Sequence, residues 1–224
     1  MPRVSRAEAE RSRRRVIDHT ARLIREKGPD QVSVPEAMAA AGLTHGGFYR
    51  HFASKDDLLA QALAAAFTER REAMERLADR PGDQPAGRPG DQPAGRPGDR
   101  PADDRTPRAE FLDRYLSEPH RDHPGHGCAA AALAADAART EPGSPLRTAY
   151  TAGLHELVDA LAALPEGAGR QETLADLSTM VGALLLARAS DDTALSEEFL
   201  TAARHRLAGG DWADGGGDGA PRTA

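Results

Sequence analysis

"THGGFYRHFASKDDLL", residues 44–59, sets two adjacent glycines where a helix is about to begin and crowds a Tyr, an Arg, a His and a Lys in behind them. Glycine is roughly 1 kcal/mol worse than alanine at a helical position. The same stretch holds Phe48, Tyr49 and Phe52, three of only nine aromatics in the chain. Weak helix formers beside aromatic and cationic groups mark a segment whose backbone something else must approach closely.

Working outward, Thr44 is an N-cap candidate for a helix of about nine residues, because its hydroxyl can accept a hydrogen bond from an early amide. Ser54 caps a longer helix that carries Leu58, Leu59, Leu63 and Phe67 towards Leu77. Upstream, "SVPE" at 33–36 reads as a capping box, with Ser33 accepting from the amide of Glu36 and the Glu36 carboxylate reaching back. That helix, roughly 34–41, ends at Gly42, a residue suited to a left-handed C-terminal position. Before it, residues 6–27 place Val16/Ile17, Thr20/Ala21 and Leu23/Ile24 on one face and stop at "KGPD".

Two short helices joined by a tight glycine-containing turn, with a longer basic helix in front, describe a helix-turn-helix. Net charge is −6, which by itself argues against a polyanion partner. The charge is unevenly placed, however. Residues 1–27 carry nine Lys/Arg against four acids, so a polyanion is expected at that end alone. Lysine occurs twice, Lys27 and Lys55, and Asn not at all; such avoidance of AT-rich codons fits a GC-rich genome, which also accounts for part of the arginine content.

The stretch "VPEAMAAAGLTHGGFYRHFASKDDLLAQAL" resembles the N-terminal signature of the TetR/AcrR family of bacterial repressors. The shared pattern is an Ala-Gly-hydrophobic turn, a Gly shortly after it, Tyr-x-His-Phe, then Ser-Lys-x-x-Leu-Leu, covering roughly residues 10–65. The resemblance implies an all-α chain. An N-terminal three-helix helix-turn-helix DNA-binding domain would occupy residues 1–53, and a helical ligand-binding and dimerisation domain residues 54–208. It also implies a homodimer on a palindromic double-stranded DNA operator, released by a small-molecule effector.

The DNA-binding residues expected are Ser33, Thr44, His45, Gly46, Gly47, Tyr49, His51 and Lys55. Gly46 and Gly47 remove bulk where a recognition helix enters the major groove. His45 is the candidate base reader, whereas Tyr49 and His51 lie within reach of the sugar-phosphate backbone. Lys55 starts a helix, where the dipole disfavours a cation; a phosphate opposite would explain it. Phe48 and Phe52, at i and i+4, are expected in the core. The "RSRRR" at 11–15 is expected to run along the DNA or precede it as an arm.

Within the second domain, "RPGDQPAG" occurs twice, at 80–87 and 88–95, followed by a degraded copy; proline at this density forbids helix and ladder alike, so 79–105 reads as a disordered insertion. Helices are expected to resume at 107–118, 128–139, 145–164, 170–189 and 194–207, and the Gly-rich end, 209–224, reads as disordered. Helices 170–189 and 194–207, with small residues at Gly182, Ala183 and Ala187, are the expected dimer interface. An effector pocket would use Phe111, Tyr115, Cys128, Tyr150, Leu154 and Leu177, a lining suited to an apolar or aromatic ligand.

"HRDHPGHGC" at 120–128 groups three His with the single Cys. A polar loop with a small buried cysteine is the preferred reading, and no metal or cofactor is expected. A thiol sensor at Cys128, standing at a helix N-terminus, is the alternative. A helical adaptor whose basic end meets an acidic protein is another. No Gly-x-Ser-x-Gly elbow or phosphate loop is present, so enzymatic activity is not expected. A lone cysteine, a charged start and apolar runs too short for a bilayer place the expected protein in the cytoplasm, away from membranes.

Overall fold

The computed structural model describes residues 6–79, 106–165 and 169–209; the Pro/Gly repeat and most of the Gly-rich end lie outside these. The described residues are helical, with no strand among them. The helices are α1 (Arg6–Lys27), α2 (Val34–Ala40), a 3-10 helix (His45–Arg50), α3 (Lys55–Ala78), α4 (Pro107–Tyr115), α5 (Glu118–Asp122), a 3-10 turn (Pro124–His126), α6 (Ala129–Arg139), α7 (Pro145–Ala162), α8 (Arg170–Ala189) and α9 (Thr193–Leu207).

The helix ends follow from local chemistry. Gly28 and Gly42 take φ values of +84° and +72°, and the Gly42 amide donates to the Ala39 carbonyl at 2.9 Å, closing α2 as its sequence requires. Ser33, Ser54, Thr106, Ser117, Ser144 and Asp192 each accept a cap bond from a following amide. At Ser33 the Glu36 carboxyl is held below the usual carboxylate range, first by Lys27 at 2.5 Å and in smaller part by the Ser33 amide, so both arms of the capping box contribute.

The expected helix 107–118 is broken in two. α4 stops at Tyr115, and α5 restarts from a Ser117 cap with Pro119 in its first turn. Pro119 lacks the amide that would have continued the ladder to Tyr115. The ring Nδ1–H of His120 fills that gap, donating to the Tyr115 carbonyl at 2.6 Å.

One apolar cluster runs from Val16 in α1 to Ala203 in α9. α3 packs on α1 with one side and on α7 with the other, so it is common to both halves of the chain. The α3–α7 contact is tight at Gly153, where an added Cβ would overlap the Phe67 ring, with Cε2 at 2.5 Å. Phe67 is also edge-on to Tyr150 at 5.8 Å, and Tyr150 donates its hydroxyl to the Ala130 carbonyl of α6 at 2.8 Å.

Candidate nucleic-acid interface

Residues 44–55 form a short raised surface supported from below. Phe48 and Phe52 are buried, with rings 5.5 Å apart, as their spacing predicts. Between them Tyr49 is 79% exposed, although its ring edge meets Phe48 at 5.2 Å. Thr44, His45, Gly46 and Arg50 are exposed, and Gly47, His51 and Lys55 are half-buried. Ser33 lies exposed at the start of α2, which contacts the 3-10 helix.

Two expectations at this surface need correction. The segment is a 3-10 helix of six residues, His45–Arg50, rather than an α-helix of about nine. Thr44 has the extended backbone of an N-cap, yet its side chain makes no cap hydrogen bond. The physical reason is length. Six residues with two glycines are too few to nucleate an α-helix before the turn at Ser54 takes over, and 3-10 geometry is the usual outcome in short pieces.

The glycines themselves are informative. Neither Gly46 nor Gly47 is among the positive-φ glycines, so neither needs the left-handed region. A Cβ on Gly46 would meet nothing within 4 Å, and one on Gly47 would make an ordinary 3.7 Å contact with Met38 Cε. The fold leaves room for side chains that the sequence withholds.

The two lysines also differ. Lys27 is paired with Glu36, whereas Lys55 has no ion pair among the described residues. It stands at the first position of α3 beside Asp56 and Asp57. Among the α1 arginines, Arg11, Arg14 and Arg15 are exposed. Arg13 and Arg25 turn inward instead. Arg13 bonds Gln61 and lies over the Phe52 ring at 5.7 Å; Arg25, with a side chain 4% exposed, pairs with Glu69 at 3.0 Å.

The N-terminal stretch, residues 16–62, matches the model for bacterial regulatory proteins of the tetR family. That N-terminal stretch is similar to the helix-turn-helix region of TetR/AcrR-type regulators. Over 84 residues it is 33% identical to the HTH-type transcriptional regulator AcrR of Shigella flexneri. Over 82 residues it is 37% identical to the HTH-type transcriptional repressor Rv1474c of Mycobacterium tuberculosis. These alignments take in 37% of this chain and span 39% and 42% of those relatives.

Whole-chain likeness is at the level of fold. The reduced form of Escherichia coli NemR superposes with a TM-score of 0.66 at 16% identity, covering 89% of this chain and 97% of that one. A TetR transcriptional regulator from Chloroflexus aurantiacus gives 0.62 at 24% identity, covering 91% and 95%. The fold is thus the one those structures share: an N-terminal helix-turn-helix and a C-terminal helical domain.

In the C-terminal half, the expected pocket residues Phe111, Tyr115, Cys128 and Leu177 are buried in the core, while Tyr150 and Leu154 are half-buried. Cys128 stands at the start of α6 as its sequence predicts, but only 1% exposed. Tyr115 is edge-on to His120 at 4.7 Å, and its buried hydroxyl has no hydrogen-bond partner. Among the described residues no group of His, Cys, Asp or Glu is arranged to hold a metal.

His120 is the structural centre of the 120–128 segment. Its Nε2 accepts from the Cys128 amide at 2.9 Å while Nδ1–H bonds Tyr115, an arrangement that requires the neutral ring. Burial, followed by the nearby Arg70 guanidinium, pushes its pKa down to about 4. A histidine that titrates near 6.5 when unfolded and near 4 when folded adds stability that is fully present above pH 6.5 and lost as pH falls towards 4. Urea unfolding is expected to show up to about 3 kcal/mol of this loss between pH 7 and 4. His120→Gln should flatten that part of the profile; an unchanged profile in the variant would exclude His120 as its source.

Proposed function

We propose that this protein is a DNA-binding transcriptional regulator, a homodimeric repressor that places His45–Arg50 of each protomer in successive major grooves of a palindromic operator. The observation that carries this reading is the space left at Gly46 and Gly47. Internal packing does not require glycine there, so the missing side chains serve something outside the chain. A wall of DNA passing close to the backbone is the partner that fits exposed His45 and Tyr49, half-buried His51 and Lys55, and the free-facing arginines of α1. Ser33 and Thr44 hydroxyls border the same surface. His45 reads a base; Tyr49, His51 and Lys55 hold the strands.

Dimerisation is supported by apolar side chains left outside on the last two helices. Leu174, Leu185 and Leu186 of α8 and Leu195 of α9 are between 40% and 51% exposed. Gly182 adjoins them with open space at its Cβ position, whereas Ala183 and Ala187 pack into the protomer's own core. Close approach of two copies would therefore use Gly182 rather than all three small residues. Under this reading a small apolar or aromatic effector enters among Phe111, Tyr115, Cys128, Tyr150, Leu154 and Leu177 and releases the DNA. No described helix is long and apolar enough to cross a membrane, which accords with a cytoplasmic site of action.

The test uses duplex selected by the wild-type protein from a random pool. Gly46→Ala and Gly47→Ala should melt at or slightly above the wild-type temperature, since each substitution gains up to about 1 kcal/mol of helix propensity. Gly46→Leu, whose side chain enters open space, should bind the selected duplex at least about a hundredfold more weakly, the loss expected when a side chain holds backbone and groove apart at several contacts. Gly46→Leu binding as tightly as wild type would remove this surface from the groove.

A further inference from the structure

Arg13 sits in the middle of a basic run, but it is engaged from within. Its guanidinium crosses from α1 to the Gln61 side chain of α3 and rests over the Phe52 ring. Gln61 in turn donates through Nε2 to Asp57 Oδ1 at 2.7 Å. The other oxygen of Asp57 accepts from the Ala53 amide at 3.0 Å, and the Asp57 amide donates to Ser54 Oγ at 3.0 Å. Ala53 and Ser54 are the turn between the His45–Arg50 helix and α3. A continuous line of hydrogen bonds therefore runs from α1 through α3 to the two residues that fix where Lys55 begins and where the recognition segment ends.

Every member has its acceptors used. The Asp57 carboxyl is held below its ordinary range first by the Ala53 amide, then by Gln61, with Arg13 adding its charge. Arg13 itself is bracketed by Glu10 on its own helix at 3.6 Å and is one-third exposed, unlike Arg11, Arg14 and Arg15. A planar guanidinium can do this where an ammonium cannot, because one edge bonds Gln61 while the flat face covers Phe52.

We propose that Arg13, acting through Gln61 and Asp57, is a positioning residue that sets the recognition segment against α1, rather than one of the arginines that grip phosphate. This rests on the DNA-binding reading above, but it makes a separate claim. The relay ties down a turn whose own residues, Ala53 and Ser54, are exposed and have no core side chain to anchor them. Without it the 3-10 helix keeps its buried Phe48 and Phe52 and its contact with α2, but the turn that follows it loses its tie to α1.

The experiment compares Arg13→Ala, Arg13→Lys, Gln61→Ala and Lys55→Ala for binding to the selected duplex across a salt series. A phosphate contact contributes about 0.9 to the slope of log affinity against log salt, and its loss lowers that slope. Gln61→Ala changes no charge; it should weaken binding about tenfold, the worth of one to two side-chain hydrogen bonds, at unchanged slope. Arg13→Lys, which keeps the charge but not the flat fork, should lose a similar amount, and combining it with Gln61→Ala should add little. Lys55→Ala should instead lower the slope.

The proposal is overturned if Gln61→Ala and Arg13→Lys bind as wild type while Arg13→Ala behaves like Lys55→Ala. A measurement without DNA separates this from failure of the reading beneath it. Amide exchange at Ala53 in the free protein should quicken in Gln61→Ala and Arg13→Lys with melting temperature within a few degrees of wild type. Unchanged exchange refutes the relay whether or not the protein selects a duplex, and a wild type that selects none refutes the DNA reading alone.

Discussion

Gly153→Ala is expected to destabilise the protein by about 2–3 kcal/mol, although alanine is normally the better helical residue by about 1 kcal/mol. The reversal comes from the α3–α7 contact, where the new methyl would occupy the space of the Phe67 ring. Phe67 is itself 2% exposed and braced edge-on by Tyr150, so the ring cannot swing aside without disturbing the Tyr150 bond to α6. The helices must separate or the ring must leave its rotamer, and both are costly in a close-packed interior. Chemical denaturation measures the loss. A second substitution, Phe67→Leu, should recover part of it in the Gly153→Ala background while being destabilising alone. Additive losses in the double variant would show that the two sites do not compete for the same volume.

The second large effect concerns Arg25 and Glu69, whose environments are unequal. The arginine side chain is 4% exposed and the glutamate 59%. Removing the glutamate strands a buried cation; removing the arginine strands a carboxylate that water can reach. Glu69→Ala is therefore expected to cost about 3 kcal/mol, at the lower end for a broken buried pair because Asp18 and Glu72 line the same cleft. Arg25→Met keeps the aliphatic packing and discards the charge, and should cost less than about 1 kcal/mol. Its remaining expense is one donor to the Gly127 carbonyl, a 3.4 Å contact. Equilibrium unfolding of both variants checks the order, and Arg25→Met being the worse of the two would contradict it.

What could be read from the chain was what is local. Ser33 with Glu36, Ser54, Gly42 and the Phe48/Phe52 spacing each carry their reason within four residues, and all stand where the sequence puts them. The long amphipathic helices were equally legible, α7 and α8 to within two residues at their ends. The break after Tyr115 was signalled by Pro119 two residues after Ser117, a pattern outweighed by the apolar periodicity of Phe111, Tyr115 and Leu116. The 3-10 character of His45–Arg50 had no comparable signal, because a nine-residue α-helix and a six-residue tighter one share the same residue types.

The candidate surface was legible for the opposite reason: its residues are unusual for a solvated helix. The inward arginines were not. Arg13 and Arg25 find their partners 48 and 44 residues away, and nothing near them distinguishes a guanidinium bound for Gln61 or Glu69 from one bound for water. Asp57 was more accessible, since Ser54-x-x-Asp57 is itself a capping pattern.

The intimacy of Phe67 with Gly153 gives α3 a fulcrum. From there the helix extends twelve residues to Lys55, about 18 Å at 1.5 Å per residue. A rigid rod of that length pivoting by about 10° carries its tip through roughly 3 Å, as much as a whole hydrogen-bond length. On the function proposed above, small rearrangements around α7 would arrive at Lys55 magnified, and α3 would be a lever arm between the interior of the C-terminal half and the strands of a duplex.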